Sequence, residues 1–238
     1  MAESTLKTGS ETYSSAIETA DNYTRWVLDG FRPYFGRRFL EVGLGHGGYR
    51  RFLPPEIDYL GLDIDPDCVA RAEARSPSER FLVADVTDPQ LPRLMTGEAP
   101  DTALCVNVLE HIEDDAAAVG NLIRVLAPGG HLLIFVPAFP ALYSELDRMA
   151  GHVRRYTRAD IPRIVVDGAE LLRYRYFNAV GGVGWLVNKA VRHSSLNASS
   201  VNSQIRLFDR FIVPLARTVD LVASRVFGQS MTLVLRKS

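Results

Sequence analysis

The chain has 238 residues, 47% hydrophobic and 23% charged, enough for one α/β domain with a full core. Its 27 basic and 28 acidic residues leave a formal net charge of −1, so no global field draws it to nucleic acid. Only two cysteines, Cys68 and Cys105, are present, which excludes a zinc cage or iron–sulfur cradle and reads as buried thiols in a reducing compartment.

No apolar run reaches the roughly 18 residues of a membrane span. The opening Met1-Ala-Glu-Ser-Thr-Leu-Lys-Thr-Gly-Ser10 lacks a signal peptide's hydrophobic region. Residues 1–15 are therefore expected to be a disordered tail, residues 16–238 a single domain, and the location cytoplasmic. Asp21-Asn-Tyr-Thr-Arg-Trp-Val27 has the pattern of an amphipathic helix ahead of the first strand.

Short β-branched runs then alternate with helical patterns, which predicts a parallel sheet covered by helices. Strands are expected at Arg38–Val42, Tyr59–Ile64, Phe81–Ala84, Thr102–Asn107 and His131–Val136. Helices are expected at Gly47–Phe52, Pro66–Arg75 and Asp114–Val125. Asp65-Pro66 is a good helix start, and Pro128-Gly129-Gly130 a helix stop. Thr157-Arg-Ala-Asp160 reads as a capped helix start, and Glu170–Asn178 and Ser230–Lys237 as two final strands.

The first strand runs into Gly43-Leu-Gly-His-Gly-Gly48, and the second ends on Asp63. Glycines let main-chain N–H groups approach a ligand, and a strand-end carboxylate can accept from both ribose hydroxyls. The pattern predicts a nucleoside-containing cofactor, and Gly43-x-Gly45-x-x-Gly48 alone would also suit a dinucleotide. Three features favour S-adenosylmethionine. Glu41 would repel a pyrophosphate but suit a cationic amino-acid group. Asp85 closes the third strand, where it could accept from an adenine amine. Nothing after the sheet resembles a dehydrogenase's catalytic domain.

The segments FLEVGLGHGG, YLGLDIDP, FLVADVTD, ALCVNVLEHIEDD and LIRVLAPGGHLLIFVP resemble, in order and spacing, the successive motifs of class I S-adenosylmethionine-dependent methyltransferases, of a bacterial small-molecule type. The resemblance covers roughly residues 23–137. It implies a doubly wound, seven-stranded, mainly parallel sheet with an antiparallel last strand. By position it assigns Gly43, Gly45 and Gly47, with Glu41 nearby, to the methionine portion, and Asp63 to the ribose. Ile64 would lie beside the adenine, Asp85 and Val86 at its edge, and Asn107 beside the sulfonium. The product would be S-adenosylhomocysteine.

Methyl transfer from a sulfonium is a displacement that requires alignment, exclusion of water and, for a protonated acceptor, a base. His111, after the fourth strand, and His152, in Gly151-His-Val-Arg-Arg-Tyr-Thr157, are the candidate bases. Arg155 and Tyr156 are candidate acceptor contacts; the alternative is a loop in which His152 and Arg155 pair with Asp147 or Glu145. In ubiquinone-pathway O-methyltransferases a glutamate three residues before the Glu-His pair completes a metal site. That place is Asn107 here, so no metal is expected. The resemblance also makes Tyr23 and Trp26 candidate lid aromatics, with packing on the sheet edge as the alternative.

About 50 residues separate the last two strands, more than a hairpin needs. Trp185–Val191 and Gln204–Val226 are helix-like, and residues 185–228 read as a helical lid or insertion. Over Trp185–Ser230, six basic residues face two acidic ones. Such a segment suits a hydrophobic or extended small-molecule acceptor, a dimer surface or peripheral contact with a membrane surface. The chain would be a monomer or homodimer. The Asn107-Val-Leu-Glu110 sequence lacks the Asn-Pro-Pro-Tyr pattern of base and glutamine N-methylation. Other readings are non-standard chemistry on the same cofactor, such as cyclopropane formation or cyclisation, and a non-catalytic cofactor-binding or assembly subunit.

Overall fold

The computed structural model describes residues 15–45, 48–188, 195–196 and 199–238. The tail expected over residues 1–15 lies, Ser15 apart, outside them. Seven strands form one sheet: β1 (Arg38–Val42), β2 (Asp58–Asp63), β3 (Arg80–Val83), β4 (Thr102–Val106), β5 (His131–Pro137), β6 (Ala169–Phe177) and β7 (Ser230–Lys237). Their order is β3-β2-β1-β4-β5-β7-β6. The first five are mutually parallel, and β7 runs antiparallel between β5 and β6. Reversal of the order between β1 and β4 opens a crevice at the strands' carboxyl ends, the usual ligand position in open α/β sheets.

The central strands are apolar on both faces because helices cover both. Leu132, Ile134 and Val136 of β5 join one core with Leu40, Cys105 and Leu233. The intervening Leu133 and Phe135 join the other with Phe39, Leu104 and Val234. This period of two is what a strand buried on both sides produces. On the first face lie α3 (Leu91–Leu94), α4 (Asp115–Val125) and α6 (Ile161–Ile164). The second is covered by α1 (Asp21–Phe31), α2 (Pro66–Arg75) and the late helices.

Local chemistry sets the helix ends. Asp65 accepts from the Asp67 N–H at 2.9 Å before Pro66 in the first turn of α2, and Asp114 accepts from the Ala117 N–H at 3.0 Å at the start of α4. The helix expected over Gly47–Phe52 is not formed as such: residues 46–47 lie outside the described set, and Arg50–Phe52 makes one 3₁₀ turn. Leu53 is extended there (φ −84°, ψ 153°), as the residue before Pro54 must be. An unforeseen helix, α5 (Glu145–Ala150), starts on a reciprocal cap between Ser144 and Asp147 and ends on left-handed Gly151.

Between β6 and β7 come α7 (Ala179–Asn188), α8 (Ser199–Leu207), a π-helical turn at Phe208–Ile212 and α9 (Val213–Ala223). The expected insertion is helical to Asn188 and over Ser199–Ala223, with residues 195–196 and 224–228 non-helical; residues 189–194 and 197–198 lie outside the described residues. Among the described residues no helix is long and apolar enough to cross a membrane.

Candidate functional site

The turn after β1 is tied to β2 before any ligand is considered. The Gly43 N–H donates to the Leu62 carbonyl at 2.8 Å, and the Gly45 N–H donates to Asp63 Oδ2 at 2.9 Å. The other Asp63 oxygen accepts from the Asp65 N–H at 2.9 Å, which fixes the carboxylate plane. Gly43 and Gly45 have φ of 77° and 49°, and a methyl at Gly43 would lie 2.3 Å from Val108 Cγ2. Glycine is required at position 43 on both counts. Gly47 lies outside the described residues.

Glu41 is buried beneath this turn. Its Oε2 accepts from the Tyr59 hydroxyl at 2.8 Å, while Oε1 is buried with no hydrogen-bond partner among the described residues. Burial pushes the carboxyl pKa up to about 8, against the Tyr59 hydrogen bond, and nearby Asp63 adds to the rise. An unpaired buried carboxylate oxygen is what an incoming cation would satisfy. Ile64 presents an apolar side chain, 41% exposed, beside Asp63. Asp85 spends Oδ1 on the Thr87 N–H at 2.7 Å and the Thr87 hydroxyl at 2.8 Å, and Val86 is buried beneath it. Asn107 follows β4 in the left-handed region (φ 52°), exposed, its N–H held by the Phe135 carbonyl at 2.9 Å.

Beyond Asn107, a short 3₁₀ turn (Leu109–His111) carries Glu110 and His111. The Val153 N–H donates to the Glu110 carbonyl at 2.8 Å and draws the Gly151–Thr157 loop against this turn. The His111 and His152 rings then meet edge to face, 4.8 Å apart. His152 Nδ1 lies 2.9 Å from Asp147 Oδ1, and its Nε2 lies 3.8 Å from Glu110 Oε1. Among the described residues, neither carboxylate oxygen of Glu110, fully buried, has a hydrogen-bond partner. Burial raises the Glu110 pKa to about 7, against the pull of His152, and burial with His152 lowers His111 to about 4.

The loop corrects two expected acceptor contacts. Arg155 is buried and donates through Nε to Asp147 Oδ1 at 2.9 Å, through Nη2 to Oδ2 at 3.1 Å and through Nη1 to the Ala138 carbonyl at 3.0 Å. Tyr156 is fully buried and donates to Asp115 Oδ2 at 2.8 Å. Their polar groups are consumed inside the protein, so they hold the loop rather than meet an acceptor. Arg154 and Arg163 also engage Asp115.

Trp26 is likewise a packing residue, its ring 4.2 Å from Phe177 in the buried core. Tyr23 packs edge-on to Phe177 at 5.7 Å and is buried in the same cluster, where burial pushes its hydroxyl pKa up. Asp209 fastens the start of α1 by accepting from the Tyr23 N–H at 2.7 Å. The alternative raised from the sequence, pairing of His152 and Arg155 with Asp147, is what forms, whereas Asp115 and Asp209 act through contacts from distant parts of the chain that local spacing does not show.

Comparison with known proteins places this geometry in context. Residues 40–134 match the methyltransferase domain. A ubiquinone biosynthesis O-methyltransferase of Aliivibrio fischeri is 28% identical over 110 residues, 45% of this chain and 47% of that protein. Nodulation protein S of Rhizobium tropici is 35% identical over 147 residues, 49% of this chain and 60% of that one. The structure of the N-methyltransferase NodS from Bradyrhizobium japonicum with S-adenosylhomocysteine aligns over 94% of this chain and 88% of its own. Its TM-score of 0.52 at 16% identity is a likeness of fold. The chain spans about half the length of several curated relatives that it matches.

Proposed function

We propose that the chain is a class I S-adenosylmethionine-dependent methyltransferase, as the match of residues 40–134 to the methyltransferase domain supports, and that it methylates O, N or C of a small-molecule acceptor. The observation that carries this reading is the unpaired, buried Glu41 Oε1 beneath a turn already locked to Asp63. A cofactor with an ammonium group and a ribose meets a carboxylate for each. Glu41 receives the ammonium, and Gly43 and Gly45 leave room for the methionine chain. Asp63 accepts from the ribose hydroxyls, Ile64 and Val86 flank the adenine, and Asp85 accepts from its amine. Gly47 belongs to the same assignment.

Because Asp63 is held by two backbone N–H groups, little reorganisation is needed on binding. In the transfer the methyl–sulfur bond breaks as the acceptor–carbon bond forms, and S-adenosylhomocysteine leaves. The acceptor gives up a proton, if it carries one, at the far end of the crevice. Asn107 lines the sulfonium side. His111, held neutral, and His152, oriented by Asp147, are the groups there with an imidazole to receive it.

The late helices support a hydrophobic acceptor met at a lipid surface. Along α8, the π turn, α9 and the turn that follows it, Leu207, Phe211, Leu215, Val219, Val222 and Val226 are exposed at spacings of four or three. The opposite stripe, Asp209, Val213, Ala216 and Asp220, is buried. Exposed Arg206, Arg210 and Arg225 flank the apolar stripe. A second copy of the chain would bring these arginines against like charge, whereas an anionic lipid surface complements both features. The free, buried Cys68 and Cys105 support a cytoplasmic location.

The test supplies methyl-labelled S-adenosylmethionine and the full chain with either a bacterial lipid extract or its aqueous counterpart. Label should enter the lipid fraction with a mass gain of one methyl. Label only in aqueous products would overturn the lipid assignment. Cofactor turnover without methylated product would overturn methyl transfer itself.

A further inference from the structure

We infer that Glu110, His111 and His152 form a binding site for a transition-metal dication of the zinc class. The three residues offer one carboxylate oxygen and two imidazole nitrogens, all within 4.8 Å of one another. Donors about 2.1 Å from a shared tetrahedral ion stand about 3.4 Å apart. Glu110 Oε1 and His152 Nε2, at 3.8 Å, are already close to that separation. Small side-chain rotations close the rest.

A second observation points to a ligand here. Glu110 is completely buried, yet among the described residues neither carboxylate oxygen has a hydrogen-bond partner within reach, His152 Nε2 lying 3.8 Å away. A buried carboxylate without a hydrogen bond is costly, and few native groups are left so. The His152 imidazole is also oriented as a metal ligand is, with the ring nitrogen remote from Glu110 held by an oxygen. Asp147 holds His152 Nδ1 at 2.9 Å, which turns Nε2 toward Glu110. One carboxylate and two imidazoles suit a borderline ion such as Zn²⁺ better than Mg²⁺, which prefers oxygen and keeps its waters.

The third ligand comes from the loop after α5, not from the position of Asn107, which is why the sequence pattern did not show the site. This inference deepens the proposed methyl transfer: a dication beside the crevice would hold an acceptor oxygen or nitrogen and ease loss of its proton. His111 and His152 would then serve as ligands rather than as bases. Cation binding itself does not depend on that reaction.

The experiment is calorimetric titration of the chelator-treated full chain with ZnCl₂ and, separately, MgCl₂. S-adenosylhomocysteine is titrated in parallel. One Zn²⁺ per chain is expected, with Mg²⁺ at least tenfold weaker. Glu110→Gln and His152→Gln should each weaken Zn²⁺ at least tenfold while S-adenosylhomocysteine affinity stays within about twofold, which shows that the variants fold. Chain that binds S-adenosylhomocysteine but no stoichiometric Zn²⁺, or variants with unchanged Zn²⁺ affinity, would overturn the site. Zn²⁺ bound as expected without any S-adenosylhomocysteine binding would uphold the site and instead overturn the function on which its use rests.

Discussion

Arg155 and Asp147 meet as a forked pair, Nε to Oδ1 at 2.9 Å and Nη2 to Oδ2 at 3.1 Å, in the interior of the protein. Asp147 simultaneously caps α5 through the Ser144 N–H at 2.8 Å and holds His152 at 2.9 Å. Burial acts against the charged carboxylate, but His152 and Arg155 keep its pKa below the ordinary range. One carboxylate therefore fixes a helix start, a loop and an imidazole.

Removing the guanidinium leaves that charge buried with too few donors. Arg155→Ala should destabilise the chain by about 3–5 kcal/mol, whereas Arg155→Lys, which keeps the charge but loses the fork, should cost less. Equilibrium urea unfolding checks this ordering. A loss of acceptor affinity at full stability would show instead that Arg155 faces the acceptor.

Glu41 gives a pH dependence of definite sign. Its pKa is raised to about 8 in the folded chain from the ordinary glutamate value of 4.5, so the folded state holds the proton more tightly. This group's contribution is complete below about pH 4.5 and is lost as pH rises toward 8, at up to about 1.4 kcal/mol per pH unit. Glu41→Gln should remove that slope and raise stability at pH 8 relative to the parent. Melting temperatures measured across pH 5–9 without cofactor test it; parallel curves for the two proteins would contradict the assignment.

The same group should release a proton when a cationic cofactor arrives. At pH 7, the calorimetric enthalpy of S-adenosylhomocysteine binding should vary with the buffer's ionisation enthalpy, and that dependence should vanish in Glu41→Gln. An enthalpy independent of buffer in the parent would place the ammonium elsewhere.

Gly43→Ala should be among the more damaging single-methyl additions. The new Cβ would lie 2.3 Å from Val108 Cγ2 on a backbone at φ 77°. Overpacking of this kind costs about 1–3 kcal/mol, and the left-handed conformation adds about 1 kcal/mol. Pairing it with Val108→Ala should recover the packing part alone. Full recovery of stability would mean that the conformation contributes nothing.

Much of this arrangement was legible in the sequence where it depends on local pattern. β1 and β7 fall at the expected bounds, and β2 and β3 begin one residue earlier than expected. Apolar runs mark buried strands well but not the residue at which pairing stops. The Gly43 turn and Asp63 were readable because their spacing is short. Tyr156 was not, since its partner Asp115 comes from α4, 41 residues away. Nor was the meeting of His111 with His152, which rests on one long-range bond from the Val153 N–H to the Glu110 carbonyl. Trp26 stayed open between lid and packing because an aromatic on an amphipathic helix has the same sequence pattern whether it covers a ligand or Phe177.

The central claim is that the Gly43–Gly45 turn and Asp63 hold S-adenosylmethionine. Calorimetric titration of S-adenosylhomocysteine into the parent chain and Asp63→Ala tests it most directly. The parent should bind one equivalent, and the variant should bind roughly 10–100-fold more weakly, the scale of charged-group hydrogen bonds lost to the ribose and to Gly45. A parent that binds no S-adenosylhomocysteine, or a variant that binds it as tightly as the parent, would contradict the account.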